Sequence, residues 1–132
     1  MLRSILAVLA GYAAMAAIVI VSTILAVRFI LRRPPSALRG VDPAALSGPY
    51  LAANIAASAV AALVAGWITG TIAGHDPLAH GLALAALMVA LGLLSARQAG
   101  AAQPRWYQAL LVTVMPALAV GGAACVDALR AS

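Results

Sequence analysis

The sequence contains no glutamate and no lysine, and only 8% of its residues are charged. Its three acidic residues are Asp42, Asp76 and Asp127, and none of them lies deep within an apolar run. Small multidrug transporters couple export to protons through a membrane-embedded acid, so this distribution argues against that mechanism. Cys125 is the single cysteine, which excludes an internal disulfide, a CxxC redox pair and a thiolate metal cluster made by one chain.

The sequence also lacks an HExxH motif and a Ser/His/Asp set of the kind that hydrolases use. We therefore expect no enzymatic activity, no catalytic residue and no cofactor. His75, Asp76 and His80 are the candidates for binding a metal or responding to pH. The alternative is a capped helix start with imidazoles at headgroup level, and a closed zinc site would need a further ligand.

Hydrophobic residues make up 65% of the 132 residues, more than a soluble domain of this length can cover with polar surface. A membrane-spanning helix needs about 20 largely apolar residues. Four runs meet that length, so we predict a single all-α domain, residues 1–132. It is an integral membrane bundle of four transmembrane helices at about 5–31, 50–74, 77–97 and 104–129.

Proline marks several of the predicted helix ends. Pro34 and Pro35 end the first helix, and a short amphipathic helix near 43–46 is an option within the loop that follows. Asp76 is expected to be the N-cap of the third helix, with Pro77 as its first residue. Pro116 lies within the fourth span, where we predict a kink, with Thr113 bonding the freed backbone.

Basic and aromatic residues flank the apolar runs and are expected to anchor the bundle in the headgroup region. These interfacial anchors are Arg28, Arg32, Arg33, Trp67, Arg105, Trp106 and Tyr107. Because the arginines flank hydrophobic spans, we expect the net charge of +5 to interact with lipid headgroups. The lipid bilayer is therefore the expected partner, and we expect no binding of nucleic acid.

The arginines are unevenly distributed between the two membrane faces. Six flank the first and third loops, against Arg3 and Arg130 on the opposite side. Since basic loops tend to remain in the cytoplasm, this count predicts that both termini are periplasmic. The absence of lysine and the abundance of alanine favour a GC-rich bacterial genome, and so the bacterial inner membrane. We expect the first span to be retained, because its apolar run is far longer than a signal-peptide core.

A stripe of small residues recurs at every fourth position of the second span: Ser58, Ala62, Gly66, Gly70 and Gly74. Small-xxx-small positions let helix backbones approach closely in lipid. Packing within the chain, contact with another chain and a pathway lined by backbone all remain open. Because each step advances about 400°, the stripe drifts and cannot face one straight partner throughout.

Asn54 continues the stripe upstream and is the strongly polar residue within a span. An unpaired amide in hydrocarbon is costly, so Asn54 needs a hydrogen-bond partner. The candidate partners are Ser22, Thr23, Thr69, Thr71 and Thr113. Polar contact between helices is favoured over a ligand site.

The stretch AGWITGTIAG at 65–74, the histidine that follows it, PRWY at 104–107 and the segment 116–122 resemble a loose group of uncharacterised bacterial four-span inner-membrane proteins. The resemblance covers the second to fourth spans and implies no assigned activity. Members of that group keep basic residues in the second loop and both termini inside. This sequence has no arginine in that loop, so the resemblance and the arginine count disagree, and we keep the count.

Two functions are consistent with these patterns. The first is a non-enzymatic scaffold or accessory subunit that contacts other transmembrane helices, in a larger complex or a homo-oligomer, through its small-residue stripe. The alternative is a small homo-oligomeric transporter or channel in which Asn54, Ser58 and the bend at Pro116 line a path.

Overall fold

The computed structural model describes residues 1–30, 32, 48–100 and 104–132. It contains four helices: α1 (Leu2–Phe29), α2 (Gly48–Ala73), α3 (Pro77–Ala99) and α4 (Arg105–Ala131). These described ranges contain no strand, and the predicted all-α bundle of four helices is confirmed. Each helix is long and apolar enough to cross a membrane, which makes this a multi-pass membrane protein.

The helix ends differ from the predicted ones by a few residues. α1 ends at Phe29, and the amide of Ile30 donates to the Ala26 carbonyl at 2.8 Å to close it. α3 begins at Pro77, as the sequence predicts. Pro34, Pro35 and the segment 43–46 lie outside the described residues.

The helix α2 is central to the bundle. It packs against α1 on one side and α4 on another, and α4 packs against α3, while α1 and α3 touch each other little. Three seams are therefore closed and the α1–α3 seam is open. α1 is the most peripheral helix: 11% of its most apolar 18-residue window is buried, against 33% for α2, 28% for α3 and 33% for α4.

The core is built mostly from small and flexible side chains. One cluster lies between α2, α3 and α4 and consists of Ala62, Ala65, Leu84, Met88, Met115 and Ala119. A second cluster lies where α1 ends and α2 and α4 begin, and consists of Ala26, Val27, Tyr50, Leu51 and Tyr107. Close approach of backbones, and not interlocking of large side chains, holds the central crossings together.

Two arginines tie the chain termini to the end of α2. Arg3 Nε donates to the Ile72 carbonyl at 2.8 Å, and Arg130 Nη2 donates to the Thr71 carbonyl at 3.1 Å. The last carbonyls of a helix lack partners within the helix and carry partial negative charge, so both contacts are favourable. The start of α1 and the end of α4 are thereby fixed at one face of the bundle.

Gly74 ends α2 and does not extend its packing stripe. It lies one residue past the helix with a φ of +78°, a conformation that glycine adopts without strain. A Cβ at this position would lie 2.6 Å from Nη2 of Arg3. The prediction of Gly74 as a packing residue of the helix is therefore wrong; the residue turns the chain toward α3 and leaves room for Arg3.

Candidate functional site

Asn54 links three helices through its side-chain amide. The Thr23 hydroxyl of α1 donates to Asn54 Oδ1 at 3.3 Å, and Asn54 Nδ2 donates to the Tyr107 hydroxyl of α4. Thr23 was among the candidate partners that the sequence offered, whereas Tyr107 was not. With both amide atoms bonded, the Asn54 side chain connects α2 to α1 and α4.

Tyr107 is buried, in contrast to its predicted place as an interfacial anchor. Its exposed fraction is 2%, while the adjacent Trp106 is 56% exposed. Successive helix residues point about 100° apart, so one of the pair can face lipid while the other faces α2. The two rings contact edge to face with centroids 6.0 Å apart, and Tyr107 uses its hydroxyl to reach Asn54.

The crossing of α2 and α4 depends on two glycines, one on each helix, and each glycine faces the backbone of the other helix. A Cβ on Gly66 would overlap the Ala119 carbonyl of α4, and a Cβ on Gly122 would overlap the Leu63 carbonyl of α2. This reciprocal arrangement places the middle of the small-residue stripe against the chain's own fourth helix. Packing within the chain is thus the use that the structure shows for Gly66.

The other stripe positions divide between neighbours, as the drift of a four-residue spacing requires. A Cβ on Gly70 would lie 3.2 Å from Val126 in α4 and 3.2 Å from Pro77. Ala62 is fully buried in the central cluster, and Ser58 is buried beside the open seam. On the neighbouring face of α2, the Thr69 hydroxyl donates to the Ala7 carbonyl of α1 at 3.2 Å.

The remaining anchor residues occupy exposed positions near helix ends. Arg28 lies in the last turn of α1, Arg32 lies three residues past the end of that helix, and Arg105 begins α4. Trp67 is 42% exposed and lies six residues before the end of α2. Arg33 lies outside the described residues.

The rings of the two histidines contact each other. Their ring centroids are 5.2 Å apart with the planes nearly perpendicular, and His80 Nδ1 donates to the Asp76 carbonyl oxygen at 2.9 Å. Among the residues that the structure describes, no group of three or more metal-ligating side chains comes together. The observed geometry is an edge-to-face ring contact at the start of α3.

Asp76 stands at the N-cap position of α3, but its carboxylate makes no capping hydrogen bond. Its backbone is left-handed, with φ 41° and ψ 59°, whereas a capping side chain needs the extended conformation to reach the first amides. The expected carboxylate cap is therefore wrong. The Asp76 backbone carbonyl instead accepts the His80 amide at 3.3 Å.

Pro116 is buried within α4. The Thr113 hydroxyl donates to the Ala109 carbonyl at 2.7 Å, one turn earlier, and so does not replace the bond that proline denies to the Val112 carbonyl. The expected role of Thr113 is wrong, because its hydroxyl proton reaches the carbonyl directly below it on its own helix. A kink at Pro116 stays a prediction.

The open α1–α3 seam contains a cleft of about 270 Å³ that all four helices line. Sequence reasoning missed this site, although the three methionines placed near the middle of three spans were a signal for it. The cleft combines thioethers with three hydroxyl groups, so it can hold an apolar molecule and offer it a few hydrogen bonds. Its lining residues are Tyr12, Met15, Val19, Ser58, Met88, Leu91, Gly92, Ser95, Leu111 and Met115.

A second cavity of about 400 Å³ continues the seam toward the start of α1 and α3. Its walls are almost entirely apolar, with Ser4 and His80 as the polar exceptions. Asn54 and Pro116 line neither cavity, so of the three residues expected to line a path only Ser58 is found there.

No family model, curated protein or solved structure matches this chain in the comparisons with known proteins. The resemblance to bacterial four-span membrane proteins therefore stays a prediction, and the molecule's own geometry is the basis for assigning its function.

Proposed function

We propose that this protein is a non-enzymatic accessory subunit of the bacterial inner membrane, which binds a larger membrane protein through the outer face of α1. The observation that carries the proposal is the peripheral position of α1, which has the least buried apolar window of the four helices. Its own chain secures it mainly along one side, against α2. The opposite side is exposed, and we assign it to the partner.

The outer face of α1 is shaped for close contact with another helix. Leu6, Ala13, Ala17 and Ile24 point in nearly the same direction, because their spacings of seven, four and seven residues approximate whole helical turns. All four are exposed. The pair Ala13 and Ala17 forms a flat small-xxx-small site to which a partner backbone can come near.

The location of this contact surface revises the expectation from the sequence. Gly66 and Gly70 of the stripe are already covered by α4 and by the start of α3. A partner that displaced these neighbours would have to break the bundle. The exposed pair on α1 offers the same kind of packing without that cost.

The proposed orientation places both termini in the periplasm. Among the described residues, Arg28, Arg32, Arg97 and Arg105 lie at the face where α1 and α3 end. Arg3 and Arg130 lie at the other face. Four cations against two favour the first of these faces as the cytoplasmic one.

The test compares two alanine-to-leucine variants of the tagged protein. Ala17→Leu enlarges the proposed interface, whereas Ala90→Leu enlarges an exposed position on α3. Membranes that contain the wild type or one of the two variants are extracted in a mild detergent. The protein is captured through its tag, and the mass of the intact assembly is measured. We expect the wild type and Ala90→Leu to come with the same second protein in fixed stoichiometry, and Ala17→Leu to come alone.

Two results would contradict the proposal. One is a wild-type protein that is a monomer or a homodimer at every extraction condition. The other is a complex that survives Ala17→Leu but is lost with Ala90→Leu, since that result would place the interface on α3.

A small transporter is the second candidate function, and the cleft in the α1–α3 seam favours it. Its volume of about 270 Å³ and its three hydroxyl groups suit a single small, largely apolar solute. In liposomes, purified protein would have to produce flux of such a solute, and Met88→Trp, which fills the cleft, would have to reduce it. Equal flux in protein-free liposomes rules the transporter out.

A further inference from the structure

A groove of about 240 Å³ runs along the outer surface of the bundle, where α3 ends and α4 begins. It is separate from the outer face of α1, so a ligand bound in it is independent of the proposed function. Its lining residues are Leu93, Ala96, Arg105, Gln108, Ala109, Val112 and Thr113.

The groove is polar at one end and largely apolar along its length, where Thr113 is the polar exception. Arg105 is the first residue of α4, and Gln108 follows three residues later. Gln108 Nε2 donates to the Gly100 carbonyl at 3.4 Å, which ties the end of α3 to the start of α4 beside Arg105. Ala109 and Val112 lie about 6 and 11 Å further along the helix axis and continue the groove toward the membrane interior.

This gradient matches the chemistry of a lipid in the same leaflet. The guanidinium lies at the helix end, where headgroup phosphates lie, and guanidinium pairs with phosphate in a bidentate geometry. The alkyl walls begin one turn deeper, at the depth of acyl chains.

We propose that the α3–α4 groove is a binding site for an anionic phospholipid. Arg105 and Gln108 hold the phosphate, and one acyl chain lies along Leu93, Ala109 and Val112. Arg105 therefore does more than anchor the helix in the headgroup region, because it selects the charge of the lipid beside it.

The test measures lipid retention by native mass spectrometry of the purified full chain. The protein is titrated with phosphatidylglycerol or with phosphatidylcholine of the same acyl chains, and with inorganic phosphate alone. We expect preferential retention of phosphatidylglycerol, lowered about fivefold by Arg105→Gln, which corresponds to the value of one arginine at an anionic surface. Arg105→Lys should keep part of that preference.

Arg97→Gln is the matched control, because Arg97 is an exposed arginine at the same face that does not line the groove. It should leave the preference unchanged. Ala109→Trp fills the groove without a change of charge and should lower the retention of both lipids, with the unfolding temperature of each variant confirming an intact fold.

Three outcomes would overturn the site. Equal losses of phosphatidylglycerol retention in Arg105→Gln and Arg97→Gln would show diffuse attraction to a basic face. No loss in either variant would show that neither arginine contributes to the preference for an anionic lipid. Retention of phosphatidylglycerol that Ala109→Trp leaves intact would mean that the lipid lies elsewhere.

Discussion

At the residue scale, Asn54 shows both how far the sequence alone leads and where it stops. Its place within an apolar run is sufficient to predict that it needs a partner, and Thr23 stood among the candidates. Tyr107 was expected at the lipid interface because it follows Trp106 directly, and aromatic pairs at a helix start favour that place. Only the rotation of α4 against α2 turns Tyr107 inward, and the rotation of one helix against another is not written in local sequence.

We predict an energetic coupling between Asn54 and Tyr107. Asn54→Ala and Tyr107→Phe each remove the bond between their side chains, so the loss of stability in the double variant should be smaller than the sum of the two single losses. The expected coupling is about 1 kcal/mol, the upper part of the range measured between membrane helices. Reversible unfolding in mixed micelles provides the measurement.

The control cycle pairs Asn54→Ala with Thr113→Ala, because the Thr113 hydroxyl bonds its own helix and does not reach Asn54. That cycle should be additive. An additive result for Asn54 and Tyr107 as well would show that their bond contributes nothing to the fold.

At the scale of the elements, the four helices and their approximate ends follow from composition and proline placement, and the structure confirms them. The partners of each helix do not follow in the same way. The small residues at 62, 66 and 70 predicted that α2 would be approached closely, but not that α4 would be the approaching helix. The reciprocal position, Gly122, lies in a Gly-Gly pair that sequence alone does not distinguish from a flexible point.

Gly121 and Gly122 provide a matched pair for the α2–α4 crossing. Gly122→Ala would overlap the Leu63 carbonyl and should lower the free energy of unfolding by about 1 to 3 kcal/mol. Gly121→Ala would meet only a Leu63 methyl at 4.0 Å and should stay within about 0.5 kcal/mol of the wild type.

The free energies of unfolding of Gly122→Ala and Gly121→Ala are measured in the same mixed micelles and compared. Similar stability of the two proteins would argue that α4 does not cross α2 at this point.

At the scale of the whole molecule, three closed seams and one open seam give the bundle an uneven outline. α1 is attached mainly through α2, and the arginines near the two termini bind the carbonyls where α2 ends. The sequence predicted the number of spans but not this outline. The alanine-rich faces of α1 and α3 have similar sequences, so the sequence alone does not show which of them another helix covers. The cleft in the α1–α3 seam could not be predicted from the sequence for the same reason, because its lining comes from all four helices.

The proposed orientation can be tested with cysteine labelling. In a Cys125→Ala background, Ser132→Cys should react with a membrane-impermeant maleimide added to intact spheroplasts, because the termini are expected in the periplasm. Gln98→Cys, at the opposite end of the bundle, should react only after the membrane is permeabilised. The reverse pattern would place the termini in the cytoplasm and overturn the arginine count.

The most direct measurement for the role of α1 is photocross-linking in native membranes. Leu6 on α1 and Leu94 on α3 are both 52% exposed, so a benzophenone amino acid at either position samples the lipid face equally well. A partner on α1 predicts one discrete adduct from position 6, heavier than two copies of the chain, and none from position 94. The absence of an adduct at position 6, or an adduct of only twice the chain mass, would contradict the assignment of α1 as the partner-facing helix.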